Sequence, residues 1–130
     1  MRQLKNLILV LVTILLLTLI GSESKSEQTL IPFEMLRQWS IPAGGVGMEI
    51  LVSEKASKEE VLSLAQHLRS KYLSKGYIFI QIFDSREAYK HRDDSRYPEK
   101  KYFKHFLVEI GRNPKTGYDK INWVAEGRGH

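Results

Sequence analysis

The stretch from Met48 to Phe83 constrains this chain more than any other, because a helix with both ends marked lies between two runs that read as strands. Ser57-Lys58-Glu59-Glu60 has capping-box spacing: the Ser57 hydroxyl can accept from the Glu60 amide while the Glu60 carboxylate reaches back. Val61, Leu64, Ala65, Leu68 and Tyr72 then recur on one helical stripe. Gly76 stands where a left-handed residue ends a helix, after the cations Lys71 and Lys75. The spacing predicts an amphipathic helix over 58–74. Before it, Met48, Ile50 and Val52 alternate with Glu49 and Ser53, which predicts a strand over 47–53. After it, Tyr77 to Phe83 is nearly all apolar and rich in aromatic and β-branched residues, the pattern of a central strand covered on both faces. Strand, helix, strand at this spacing is a βαβ unit, with its two strands parallel in one sheet.

A hairpin follows, and its register can be derived. Asn113-Pro114-Lys115-Thr116-Gly117-Tyr118 reads as a four-residue loop on a type I turn, with Pro114 fixing φ and Gly117 taking the left-handed position. If Asn113 faces Tyr118, then Arg112 faces Asp119, Ile110 faces Ile121, Val108 faces Trp123 and Phe106 faces Ala125. A slip of one residue opposes Val108 to Asn122 and pairs apolar with polar positions, so the first register is favoured. Strands are expected near 104–112 and 118–125. Phe33, Met35, Trp39 and Ile41 alternate as in a further strand, with Leu36 on the other side leaving a helix open. Asp84-Ser85-Arg86-Glu87 can cap a short second helix through Lys90, with Asp84 as the capping side chain. His91 to Lys101 has no apolar period and reads as a solvated loop. The fold class expected is α+β: a βαβ unit followed by a β-hairpin, in a four- or five-stranded mixed sheet with one main helix on a face.

The chain opens differently. Arg2 and Lys5 precede an unbroken run of apolar residues and threonine from Leu7 to Ile20, followed by the small and polar Gly21-Ser22-Glu23-Ser24-Lys25-Ser26. Those three regions in that order form an export signal. As a helix the run rises only about 21 Å against roughly 30 Å of bilayer hydrocarbon, which suits a cleavable segment better than a permanent span. Residues 1–21 are therefore expected to be a signal peptide, with an uncleaved signal anchor as the alternative. Residues 22–29 read as a linker, and 30–130 as a single α+β domain, periplasmic or secreted. The chain has no cysteine, which excludes disulfides, a cysteine-linked lipid anchor, thiolate metal sites and a cysteine nucleophile, and leaves stability to the core.

Without Arg2 and Lys5, the 20 Lys and Arg become 18 against 15 Asp and Glu, a net charge of +3. That surplus sits in one segment, where Arg86, Lys90, Arg92, Arg96, Lys100, Lys101 and Lys104 outnumber Glu87, Asp93, Asp94 and Glu99. Such a segment can meet an anionic surface: lipid headgroups, a polyanion or an acidic protein. The four carboxylates among the cations equally describe a solvated mixed surface.

Few residues suggest chemistry. The derived register sets His105 opposite Glu126, where a carboxylate could orient an imidazole as a general base, though no nucleophile falls beside the pair. His91, Asp93 and Asp94 could offer a divalent metal one imidazole and two carboxylates, without a repeating donor spacing. His67 falls on the polar side of the main helix. Gly44-Gly45-Val46-Gly47 resembles a phosphate loop but leads into a strand rather than a helix, which favours a turn or bulge. Trp39, Trp123, Tyr77 and Tyr118 would serve carbohydrate or peptide stacking if exposed, with Trp123 placed in the apolar face. Nothing in the pattern calls for a cofactor.

Several short stretches are similar to a family of small, uncharacterised bacterial domains found behind export signals. They are Trp39-Ser40-Ile41-Pro42 with Gly44, Gly45 and Gly47; Phe83-Asp84 with Ala88; Lys104-His105-Phe106; and Asn113 with Thr116-Gly117-Tyr118. The resemblance covers about residues 30–126 and implies an exported α+β domain, with no activity and no functional residue to carry over. The function these readings favour is a non-enzymatic exported binding or accessory module. The alternative is a small hydrolase or metal-dependent enzyme using His105 with Glu126, or His91, Asp93 and Asp94.

Overall fold

The structure, a computed structural model, describes residues 29–125. The segment expected to be an export signal, most of the expected linker and Glu126 lie outside the described residues. The elements are β1 (Glu34–Ser40), β2 (Gly45–Leu51), α1 (Lys58–Tyr72) with a 3-10 turn (Leu73–Lys75), β3 (Tyr77–Phe83), α2 (Arg86–Lys90), α3 (Glu99–His105), β4 (Phe106–Asn113) and β5 (Tyr118–Trp123). The five strands form one mixed sheet in chain order, β1-β2-β3-β4-β5. β2 and β3 are parallel neighbours joined through α1, and the other three pairings are antiparallel. This is the α+β arrangement expected, a βαβ unit followed by a hairpin. No helix among the described residues is long and apolar enough to cross a membrane.

Both halves of the Ser57 capping box are formed, and α1 lays Val61, Leu64, Ala65 and Leu68 on the sheet. Beneath it sit Met48 and Ile50 from β2, Ile80 and Ile82 from β3, and Val108 and Ile110 from β4, all fully buried. Each such side chain contributes about 1.5–3 kcal/mol relative to its exposed state. His67 is exposed, on the far side of the helix. The C-terminal end of α1 is held from the sheet: the Arg112 guanidinium donates to the carbonyl oxygens of Leu73 at 3.2 Å and Gly76 at 2.6 Å, a cation at the negative end of a helix. Arg69 on α1 donates through Nε to Asp119 at 2.7 Å. Asp119 also lies 4.0 Å from Arg112, its partner in the hairpin register. The Arg69 bond holds the Asp119 carboxyl below its ordinary range.

The hairpin register is the derived one from Val108↔Trp123 to Asn113↔Tyr118, and Gly117 has φ +77°. The Gly117 amide closes the turn on the Asn113 carbonyl at 3.0 Å.

Four local expectations are corrected. β1 is a strand, but a bulge between Met35 and Arg37 breaks its alternation, so Met35 registers with Ile50 and Trp39 with Gly47, on opposite faces. The cap of α2 is Ser85, which accepts from the Ala88 amide, and Asp84 is freed for another partner. The segment 91–101 is a turn only to Pro98, where α3 begins; β4 therefore starts at Phe106, two residues later than expected, and Phe106 pairs with Phe83. Finally, β3 is central but not covered throughout, because Phe79 is 37% exposed.

Candidate functional site

The face of the sheet turned away from α1 carries two cross-strand rows that the register defines. One row reads Trp39, Gly47, Phe79, Gly111, Lys120, and the next reads Arg37, Glu49, Gln81, Glu109, Asn122. Residues directly opposite across strands point to the same side. Phe79 thus stands between two glycines, and the space they leave is filled by rings. A Cβ built on Gly47 would lie 2.1 Å from the Trp39 ring, and one on Gly111 would lie 2.8 Å from the Tyr118 ring. Trp39 and Tyr118 therefore lie against bare backbone on either side of Phe79, with Trp39 and Phe79 centroids 6.2 Å apart. Asn122 donates to the Tyr118 hydroxyl at 3.1 Å and fixes that ring along its strand. The Arg37 guanidinium lies over the Trp39 ring, 4.8 Å from its centroid, and the Lys120 ammonium over the Tyr118 ring at 5.7 Å. Phe79 and Tyr118 are 37% and 42% exposed.

The other half of this face is roofed. Tyr89 from α2, Tyr102 from α3 and Phe106 at the start of β4 surround Phe83, with ring centroids 5.2, 6.1 and 5.0 Å away. At the boundary, Glu49 is buried and its carboxylate accepts from the Tyr89 hydroxyl. Burial raises the pKa of Tyr89, and the bond to Glu49 adds to the effect. Burial likewise raises Tyr102.

The residues singled out in the sequence are distributed differently. His105 ends α3 rather than lying in the hairpin. Its Nδ1 is 2.7 Å from Oδ1 of Asp84, whose amide donates to the His105 carbonyl at 3.1 Å. With the carboxylate as acceptor, Nδ1 carries the proton. The pair ties the end of β3 to the start of β4, and among the described residues no serine or threonine hydroxyl bonds to His105. The carboxylate seen at His105 is that of Asp84, just past the end of β3; the expected partner Glu126 lies outside the described residues. His91 stacks parallel on Tyr97 at 4.6 Å and lies 3.5 Å from Asp94. Asp93 instead lies 3.9 Å from Arg92. Among the described residues no three or more His, Asp or Glu side chains converge as metal ligands.

Much of the basic segment is paired locally. Arg86 bonds Glu34, Arg96 bonds Asp94 at 3.2 Å, and Lys101 lies 3.8 Å from Glu87. Arg92 stacks 4.2 Å from the Tyr89 centroid and bonds the Tyr89 carbonyl at 3.1 Å. Lys90, Lys100 and Lys104 have no ion-pair partner among the described residues. His91, Arg92, Arg96, Tyr97, Tyr102 and Phe103 border a shallow concavity of about 460 Å³, in which Asp94 is held below its ordinary range by the Arg96 amide and side chain.

Of the four stacking candidates, Trp39 and Tyr118 belong to the open face. Trp123 instead packs against the core, donating to the Ala125 carbonyl at 2.7 Å. Phe79, Gly111, Gln81 and Glu109 went unnoticed, because the hairpin register aligns β4 with β5 and leaves the pairing of β3 with β4 open. Comparison with protein-family models, curated proteins and solved structures gives no match for this chain.

Proposed function

We propose that this chain is a non-enzymatic exported binding module whose contact surface is the open half of the outward sheet face. The observation that carries the reading is the row in which Gly47 and Gly111 flank Phe79. Small residues at those two positions cost strand stability, and their effect here is to seat Trp39 and Tyr118 as flat, partly exposed rings. Large aromatic faces with a few convergent polar groups are what recognition sites present. The three-part N-terminal segment supports placing the domain outside the cytoplasm.

The test is retention from cell-envelope extract on the immobilised chain, compared with a variant carrying Trp39→Ala, Phe79→Ala and Tyr118→Ala. The expected outcome is material held by the unmodified chain and lost from the triple variant at unchanged circular dichroism. A chain in which Arg92, Arg96, Lys100 and Lys101 are all neutralised should retain it. Equal retention by the triple variant, or loss only with the charge variant, overturns the reading in favour of the basic segment.

A further inference from the structure

The ligand class can be argued from the charges and the spacing of the open face, an inference that rests on the binding-module reading. We propose that the face takes a neutral glycan of at least two linked pyranose units. Of the charged groups in the two rows, Arg37 and Lys120 are exposed, Glu109 is partly exposed and Glu49 is buried against the Tyr89 hydroxyl, so the face mixes both signs and offers no strong field of either to a ligand. A polyanion would have to lie over Glu109, near the middle of the sheet. A cationic ligand would meet Arg37 and Lys120, which already sit at Trp39 and Tyr118. A neutral ligand meets neither penalty.

It must still satisfy two kinds of surface at once. The rings require a flat apolar face, and the row beside them requires hydrogen bonds: the side chains of Gln81 and Glu109 make no hydrogen bond or ion pair among the described residues, although both are partly exposed. Glu109 as a carboxylate only accepts, so it asks for a hydroxyl donor, while Gln81 and Lys120 can donate in return. A pyranose ring has this division of labour, with C–H groups on its faces and hydroxyls around its edge. The spacing sets the minimum length. Gly47 and Gly111 are two strand spacings apart, about 10 Å, so the rings seated over them are separated by a distance that a linked pair of pyranoses covers and a single one does not.

The experiment is binding of the full exported chain to an array of neutral oligosaccharides, with a polyuronate and an oligothymidylate as anionic probes. Neutral oligosaccharides should bind, monosaccharides should bind far more weakly, and the affinity should be the same at low and physiological salt. Trp39→Ala, and separately Tyr118→Ala, should weaken binding about tenfold at an unchanged unfolding midpoint, a ratio in the range expected of one aromatic contact. Glu109→Gln should weaken it severalfold. Binding of the anionic probes alone, with affinity falling steeply as salt rises, overturns the neutral-glycan inference, as does an array with no bound neutral glycan. Backbone amide shifts separate the two failures. Anionic ligands that move the amides of Trp39, Phe79 and Tyr118 sink the ligand class and spare the module. An array without hits, joined to equal retention of envelope material by the triple variant, sinks both.

Discussion

The outward face of the sheet holds two aromatic groups that differ in what covers them. Around Phe83 the rings of Tyr89, Tyr102 and Phe106 close into a small second core under α2 and α3. Around Phe79 the rings of Trp39 and Tyr118 lie on glycine backbone and remain partly exposed. Residue type therefore does not say whether an aromatic cluster is for stability or for recognition; the roof does. Phe83 and Phe79, four residues apart on one strand, should respond to truncation in opposite ways. Phe83→Ala should cost about 3–5 kcal/mol, as for a fully buried phenylalanine, and Phe79→Ala less than about 1 kcal/mol. Urea denaturation of both variants measures this, and equal costs would show that the open half is packed after all.

The glycines sharpen the contrast. Gly47→Ala places a methyl group inside the space of the Trp39 ring and should cost about 1–3 kcal/mol, as overpacking does, with a shift in tryptophan emission. In a Trp39→Ala background the same substitution should cost much less, and a double-mutant cycle with no coupling would break the argument. At the boundary between the halves, Tyr89→Phe leaves the buried Glu49 carboxylate without its hydroxyl donor and should cost about 1–3 kcal/mol, against little effect for Tyr118→Phe on the open side.

The smallest effect is alkaline. Tyr89 and Tyr102 both have raised pKa values in the fold, so the roofed half favours their neutral forms. Their contribution is fully present below the ordinary tyrosine value of about 10 and is lost as pH rises from there through their raised values. Thermal melts from pH 9 to 11 should show the midpoint falling, and the fall should shrink in a Tyr89→Phe, Tyr102→Phe chain.

The α1 cap, the parallel strands around it and the β4–β5 register were legible because each is set by residues close in sequence or by a pattern that a single slip would destroy. The bulge in β1 was not, since Phe33 to Ile41 alternates well enough to hide an extra residue. Nor was α3, whose seven residues carry too few apolar positions to show a period, although Tyr102 and Phe106 are one helical turn apart. The polar partner of His105 was missed for the same reason: once α3 takes Lys104 and His105 from the strand, the imidazole turns toward β3. The site was the least legible part, because Trp39, Gly47, Phe79, Gly111 and Lys120 come from five strands and meet only in the assembled sheet.

Strand order that follows chain order also shapes how the molecule can assemble. Each strand after the first pairs with its immediate predecessor, and two of the four pairings, β1 with β2 and β4 with β5, close across short turns at little entropic cost. The unions of β2 with β3 and of β3 with β4 must each bridge a long excursion, and α1 shortens the first as it forms. The capping box and its apolar stripe thus act on kinetics as well as stability: a chain with Ser57 and Glu60 replaced should fold more slowly, to the extent that α1 is formed when β2 and β3 first meet.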